Sequence, residues 1–241
     1  MRAERPPAFY ALGAGGWRDY VTLLHAPYTA WHLSYVAIGA ALAPALDTGR
    51  LVASLAAFGL AVGVAAHCLD ELHGRPLRTR IPRGTLIALS AIGLGGAVAI
   101  GLAGLDQLGP RFAAFIAVGA LAVPAYNLEL FGGRIHGDHA FAVLWGAFPV
   151  LTGYFAQAET LNATALLAAG AAYALSLAQR WLSNEARGIR RRAVSVDGRI
   201  VWKDGREEPL DAARLLAPHE AALQAMAAGH VLFALALLLT H

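Results

Sequence analysis

The sequence predicts an all-α fold, a polytopic transmembrane helical bundle of about seven spans with one small cytoplasmic β-hairpin insert. Three observations lead there. Of the 241 residues, 57% are hydrophobic and only 15% charged, against roughly 25% charged in a soluble domain; the mean hydropathy is +0.51. Apolar runs recur at the length needed to cross a bilayer, about 20 residues each. The charged residues gather between those runs rather than along them.

Taken in order, the expected spans are Tyr20–Leu46, Leu51–Leu69, Gly84–Leu105, Arg111–Leu130, His139–Gln157, Leu161–Leu182 and Glu220–Thr240. Pro44 with Gly49, Gly109 with Pro110, and Gly132 with Gly133 break the chain between them. Glycine and alanine inside the spans, such as Gly93, Gly95, Gly96 and Ala97, allow close helix approach. Backbone groups in lipid must be satisfied internally, which leaves helices as the fold for such runs. The chain reads as a single domain over residues 1–241.

One stretch departs from this pattern. From Glu185 to Pro209 the chain is polar, and Ala193–Val196, Asp197-Gly198 and Arg199–Trp202 carry a strand–turn–strand signal, a hairpin over 193–204. A short amphipathic helix is expected around Leu210–Leu216. Cys68 is the only cysteine, so neither a disulfide framework nor a CxxC metal knuckle is available. Glu4, Arg5, Pro6 and Pro7 precede the first apolar run, and that run is too long and too late for a secretory signal.

The basic residues set the expected orientation. Arg50 and Arg111 fall on one side and Arg180 within the sixth span, so the remaining sixteen of nineteen Lys and Arg share the other side. That bias places the N-terminus in the cytoplasm and the C-terminus outside a bacterial-type plasma membrane. The arginines line loops of a membrane protein, so no nucleic-acid partner is expected.

The chemistry concentrates between Ala66 and Arg83, A-H-C-L-D-E-L-H-G-R-P-L-R-T-R-I-P-R. His67 lies three and four residues before Asp70 and Glu71 on one helix, which Gly74 and Pro76 then end. Tyr126, Asn127 and Glu129 close the fourth span; Arg180, Asn184 and Glu185 close the sixth. All three ends are expected on the cytoplasmic side, and ionisable groups at such positions mark functional sites. His25 and His32 lie in the first span, and His136, Asp138 and His139 form a further candidate cluster. The triple arginine 190–192 suits anionic lipid or an anionic substrate.

The second-span end followed by G-R-P-L resembles the first acidic motif of the UbiA superfamily of intramembrane prenyltransferases. L-L-H-A-P-Y-T-A-W-H-L-S-Y-V-A-I-G-A-A-L-A is similar to that family's first helix, A-Y-N-L-E-L-F-G-G to its tyrosine segment, and W-G-A-F-P-V-L-T-G-Y-F-A to its fifth helix. R-W-L-S-N-E-A-R-G-I-R-R-R stands where the family has its second acidic motif. The resemblance spans about Tyr20 to Arg192 and marks a divergent, shortened member. Ala66 occupies the position of the family's Asn, and Arg187 that of a second-motif carboxylate.

The resemblance implies transfer of an isoprenoid from an allylic diphosphate to an acceptor. Asp70, Glu71, Glu185 and Asn184 would be catalytic, with Asp70, Glu71 and Glu185 holding Mg²⁺. His67, Arg75, Arg78, Tyr126, Asn127, Arg180, Arg187 and Arg190 would bind substrate. Two other readings use the same residues: a non-catalytic membrane protein of this fold that binds isoprenoid lipid or a partner, and a membrane metalloenzyme with His67, Glu71, His73 and His32 as ligands.

Overall fold

A computed structural model describes residues 5–241. It is mainly helical, with a two-stranded antiparallel sheet. The main helices are α1 (Trp17–Leu23), α2 (Ala26–Ala41), α3 (Thr48–Leu72), α4 (Arg83–Ala103), α5 (Phe112–Asn127), α6 (Asp138–Ala158), α7 (Ala163–Arg191) and α8 (Ala212–Leu238). Among the described residues, α3, α4, α6 and α8 are each long and apolar enough to cross a membrane, and α5 is a shorter apolar helix. The fold is thus that of a helical integral membrane protein.

Helix starts follow local chemistry. The side chains of Asp47, Asn162 and Asp211 accept from the backbone N–H of Arg50, Ala165 and Arg214, capping α3, α7 and α8. The expected first span is broken: His25 adopts φ 46°, ψ 46°, and α2 begins after it with Pro27 in its first turn. Proline is favoured there because its missing N–H has no helical partner. The sixth expected span continues to Arg191, which carries its polar end well past Leu182.

Small residues set the packing. A β-carbon on Gly39 of α2 would lie 2.1 Å from the Val150 carbonyl oxygen, and one on Gly153 of α6 would lie 2.2 Å from that of Val36. The two backbones touch at both glycines, as small residues in membrane helices permit. Trp31, Tyr35 and Val150 fill the core beside this contact, each about 1% exposed. Two helices change pitch: Gly59–Ala66 in α3 and Ala142–Ala147 in α6 are π-helical. Such segments release carbonyls from the ladder and recur at functional sites.

The hairpin differs from expectation. Strands β1 (Arg199–Val201) and β2 (Glu207–Pro209) pair with Ile200 opposite Glu208. The turn is Asp204-Gly205, with Gly205 at φ 83°, and not Asp197-Gly198. Charge complementarity explains the choice: in this register Arg199 meets Glu207 at 3.0 Å, whereas Ala193–Val196 offers no such partner and Val194 is 96% exposed. The amphipathic stretch at Leu210–Leu216 is the start of α8, one helix running through Pro218.

Candidate functional site

The ends of α3, α5 and α7, distant in sequence, wall one chamber of about 570 Å³ together with His25 and His32 from the α1–α2 region. The segment Pro7–Tyr10 covers it. Its position is fixed by Arg191, whose Nε donates to the Pro7 carbonyl at 3.2 Å, and by Arg190, whose Nη1 donates to that of Pro6 at 3.3 Å.

Helical periodicity decides which candidates enter. Asp70 lines the chamber; Glu71, next in sequence, points the other way. Glu71 is fully buried, and its carboxylate accepts from Leu77 N (2.9 Å), Thr79 N (2.8 Å) and Thr79 Oγ1 (2.9 Å). It organises the 73–82 loop. Arg75 does the same from the other side, donating to the carbonyls of Thr79 (3.2 Å) and Ile81 (2.7 Å), while Asp19 accepts from Arg80 N at 2.8 Å. Arg78 is exposed on that loop and lies outside the chamber. Glu71, Arg75 and Arg78, expected at the site, therefore do not line the chamber: the loop is tied to itself.

On α7, Arg180, Asn184, Arg187 and Arg191 recur at helical spacing and all line the chamber, as does Arg190. Glu185, about 100° around the helix from Asn184, is exposed outside it. Arg180 is committed: its Nε donates to Asp138 at 3.0 Å, with its guanidinium 5.2 Å from the Phe141 ring centroid. Arg190 makes a bidentate pair with Glu220. Arg187 donates to Asn184 Oδ1 at 2.6 Å, and Asn184 in turn donates to Asp138 at 3.2 Å. Among the described residues, neither Arg187 nor Arg191 is paired with a carboxylate.

The remaining walls hold histidines and two orphaned groups. His67 Nδ1 bonds the Gly63 carbonyl (3.2 Å) and His32 Nδ1 bonds that of Trp145 (2.8 Å); both carbonyls lie in the π-helical segments. A carbonyl only accepts, so Nδ1 carries the proton and Nε2 keeps a lone pair. The rings of His25 and His67 stack at 4.1 Å, and the Tyr10 hydroxyl meets His25 Nδ1 at 2.9 Å. Burial raises the Tyr10 phenol well above its ordinary range. Asn127 also faces the chamber, its Nδ2 donating to the Val123 carbonyl at 2.7 Å. The Tyr126 hydroxyl and Gln179 Oε1 are buried at the wall without a hydrogen-bond partner among the described residues. Buried polar atoms seldom go unpaired unless a ligand or water supplies the partner.

A second, apolar groove of about 90 Å³ runs beside the chamber between α3, α4, α5 and α6. Val62 and Trp145 line both spaces, so they form the boundary between polar chamber and apolar groove.

The residues do not fit the Mg²⁺ site expected for Asp70, Glu71 and Glu185. Both Glu71 oxygens are taken, Glu185 faces away, and Asp70 alone remains, beside cationic arginines. Mg²⁺ demands near-octahedral oxygen ligation, commonly with a carboxylate or two. Among the described residues no group of three His, Cys, Asp or Glu is placed to hold a metal ion. The set His67, Glu71, His73 and His32 fails for the same reason. The cluster His136, Asp138 and His139 is dispersed: His136 bonds the Tyr126 carbonyl, Asp138 binds Arg180, and His139 bonds the Tyr173 hydroxyl.

Gln179 and Tyr10 are chamber residues that the sequence did not single out, and Arg191 figured there only within the triple arginine 190–192. Arg191 was findable from its spacing of four from Arg187; nothing in the sequence places Tyr10 over the chamber. No family model, curated protein or solved structure matches the chain.

Proposed function

We propose that this protein is a seven-span membrane enzyme, related in plan to the UbiA prenyltransferases, with its N-terminus cytoplasmic, that moves an isoprenoid from an allylic diphosphate to an acceptor. The observation that carries the reading is the junction of a cationic chamber with an apolar groove across Val62 and Trp145. An amphiphile with an anionic head and a hydrocarbon tail has one orientation there, head on α7 and tail in the groove.

The reaction follows from the residues around that head. The C1–O bond of the allylic diphosphate breaks, and the diphosphate leaves with the electron pair, its charge met by guanidinium donors on α7. The faces of Tyr126 and Trp145, 5.6 Å apart in an edge-on pair, and the Asp70 carboxylate stabilise the allylic cation. The acceptor's nucleophilic atom bonds to C1 and its proton passes to His67 Nε2. Pro7–Tyr10 and the apolar walls keep water from the cation.

The test is release of diphosphate from farnesyl diphosphate by the full chain in nanodiscs, with candidate phenolic and lipid-alcohol acceptors. Turnover lost in His67→Ala and Asp70→Asn supports the reading. Tight binding of farnesyl diphosphate with no turnover under any acceptor favours a second one, a non-catalytic isoprenoid-lipid binder. A single chamber carboxylate from the three expected is the observation that favours it.

A further inference from the structure

We infer that the diphosphate head is gripped directly by Arg187 and Arg191, without a divalent metal. This rests on the allylic-diphosphate reading and specifies how that site holds its anion.

Arg180 and Arg190 are already neutralised by Asp138 and Glu220. Arg187 and Arg191 line the chamber with only neutral oxygen acceptors, Asn184 Oδ1 and the Pro7 carbonyl. Partly buried cations without a counter-charge are costly, and an anion relieves that cost. The two residues are four apart on one helix, which sets their side chains about 6 Å from each other at the root. That spacing lets one guanidinium take each phosphoryl group, bidentately where the fork allows. The unpartnered Tyr126 hydroxyl on the facing wall supplies a further donor.

A dication finds the opposite surroundings. Of the three carboxylates expected to hold it, only Asp70 lines the chamber, since Glu71 is saturated by the 73–82 loop and Glu185 lies outside. Of the other carboxylates that line the chamber, Glu220 is taken by Arg190, and Glu129 lies 3.8 Å from the imidazoles of His73 and His136; Arg187 and Arg191, beside Asp70, would repel the ion. The arginines occupy the electrostatic role that metal ions fill when acidic residues dominate a site.

Asp70 provides a test by sign. In an arginine clamp its charge opposes the anion, so Asp70→Asn tightens binding; as a metal ligand its loss abolishes binding. The experiment is calorimetric titration of the full chain in nanodiscs with geranyl S-thiolodiphosphate, an allylic analogue resistant to ionisation, in EDTA and again in Mg²⁺. The clamp predicts equal affinity in both, a loss of about 10- to 100-fold in Arg187→Gln, and tighter binding in Asp70→Asn. Binding that requires Mg²⁺ and vanishes in Asp70→Asn overturns the clamp and leaves the allylic-diphosphate reading standing. No binding in either buffer overturns both. Should Arg187→Gln fail to fold, the direction of the Asp70→Asn change and the comparison of EDTA with Mg²⁺ still decide.

Discussion

Glu71→Ala is expected to cost about 3–5 kcal/mol of stability, through the loop it organises and not through lost chemistry. The carboxylate is fully buried and accepts three hydrogen bonds at 2.8 to 2.9 Å, two of them from the backbone of Leu77 and Thr79, themselves 4% and 7% exposed. Truncation leaves those two N–H groups buried without a partner, at about 1–3 kcal/mol each, and removes a charge-assisted hydroxyl bond as well. Glu71→Gln keeps one acceptor oxygen and gives an intermediate loss. The assay is reversible unfolding in mixed micelles, followed by tryptophan fluorescence, beside binding of the thiolodiphosphate analogue to the folded fraction. Unchanged stability with binding abolished would refute this reasoning and return Glu71 to the chamber as a ligand.

Three further outcomes are expected. Tyr126→Phe deletes a buried hydroxyl that has no partner among the described residues, so stability holds or rises by up to about 1 kcal/mol while analogue affinity falls; a stability loss with affinity unchanged contradicts the assignment. Gly153→Leu drives a side chain into the Val36 carbonyl, 2.2 Å from where its β-carbon would sit, and should cost about 3 kcal/mol or more by forcing α2 and α6 apart; a fully stable variant in the same unfolding assay counts against the contact. His25→Gly relieves a left-handed residue at φ 46°, a gain of about 1 kcal/mol in unfolding free energy, partly offset by losing the stack on His67. A variant destabilised by several kcal/mol would show that the ring, and not the backbone, dominates there.

The sequence made the apolar helices legible because a bilayer demands long runs, and the three helix ends it singled out meet at one chamber. What it obscured has a common cause. Neighbouring residues on a helix point about 100° apart, and at two pairs that turn divides them: Asp70 faces the chamber while Glu71 enters the 73–82 loop, and Asn184 faces it while Glu185 is exposed outside. Counting carboxylates by motif hid this, whereas the stripe Arg180, Asn184, Arg187, Arg191 was present in the spacing. Pro27 marked the break before α2, since the ring fits a helix's first turn far better than its interior. The π-helical segments carry no periodic signature, and they bring Gly63 and Trp145 carbonyls to the histidines. The hairpin moved by one Asp-Gly pair because both turns read alike, and only cross-strand charge separates them.

The most direct test of the shared chamber and groove is photolabelling with a benzophenone-bearing geranyl diphosphate, mapped by mass spectrometry. The account predicts labels on the α3 and α6 segments around Val62 and Trp145, suppressed by excess inorganic diphosphate and absent when the same probe carries an alcohol in place of the diphosphate. Labels spread over the lipid-facing surfaces of α4 and α8, indifferent to the head group, would contradict it.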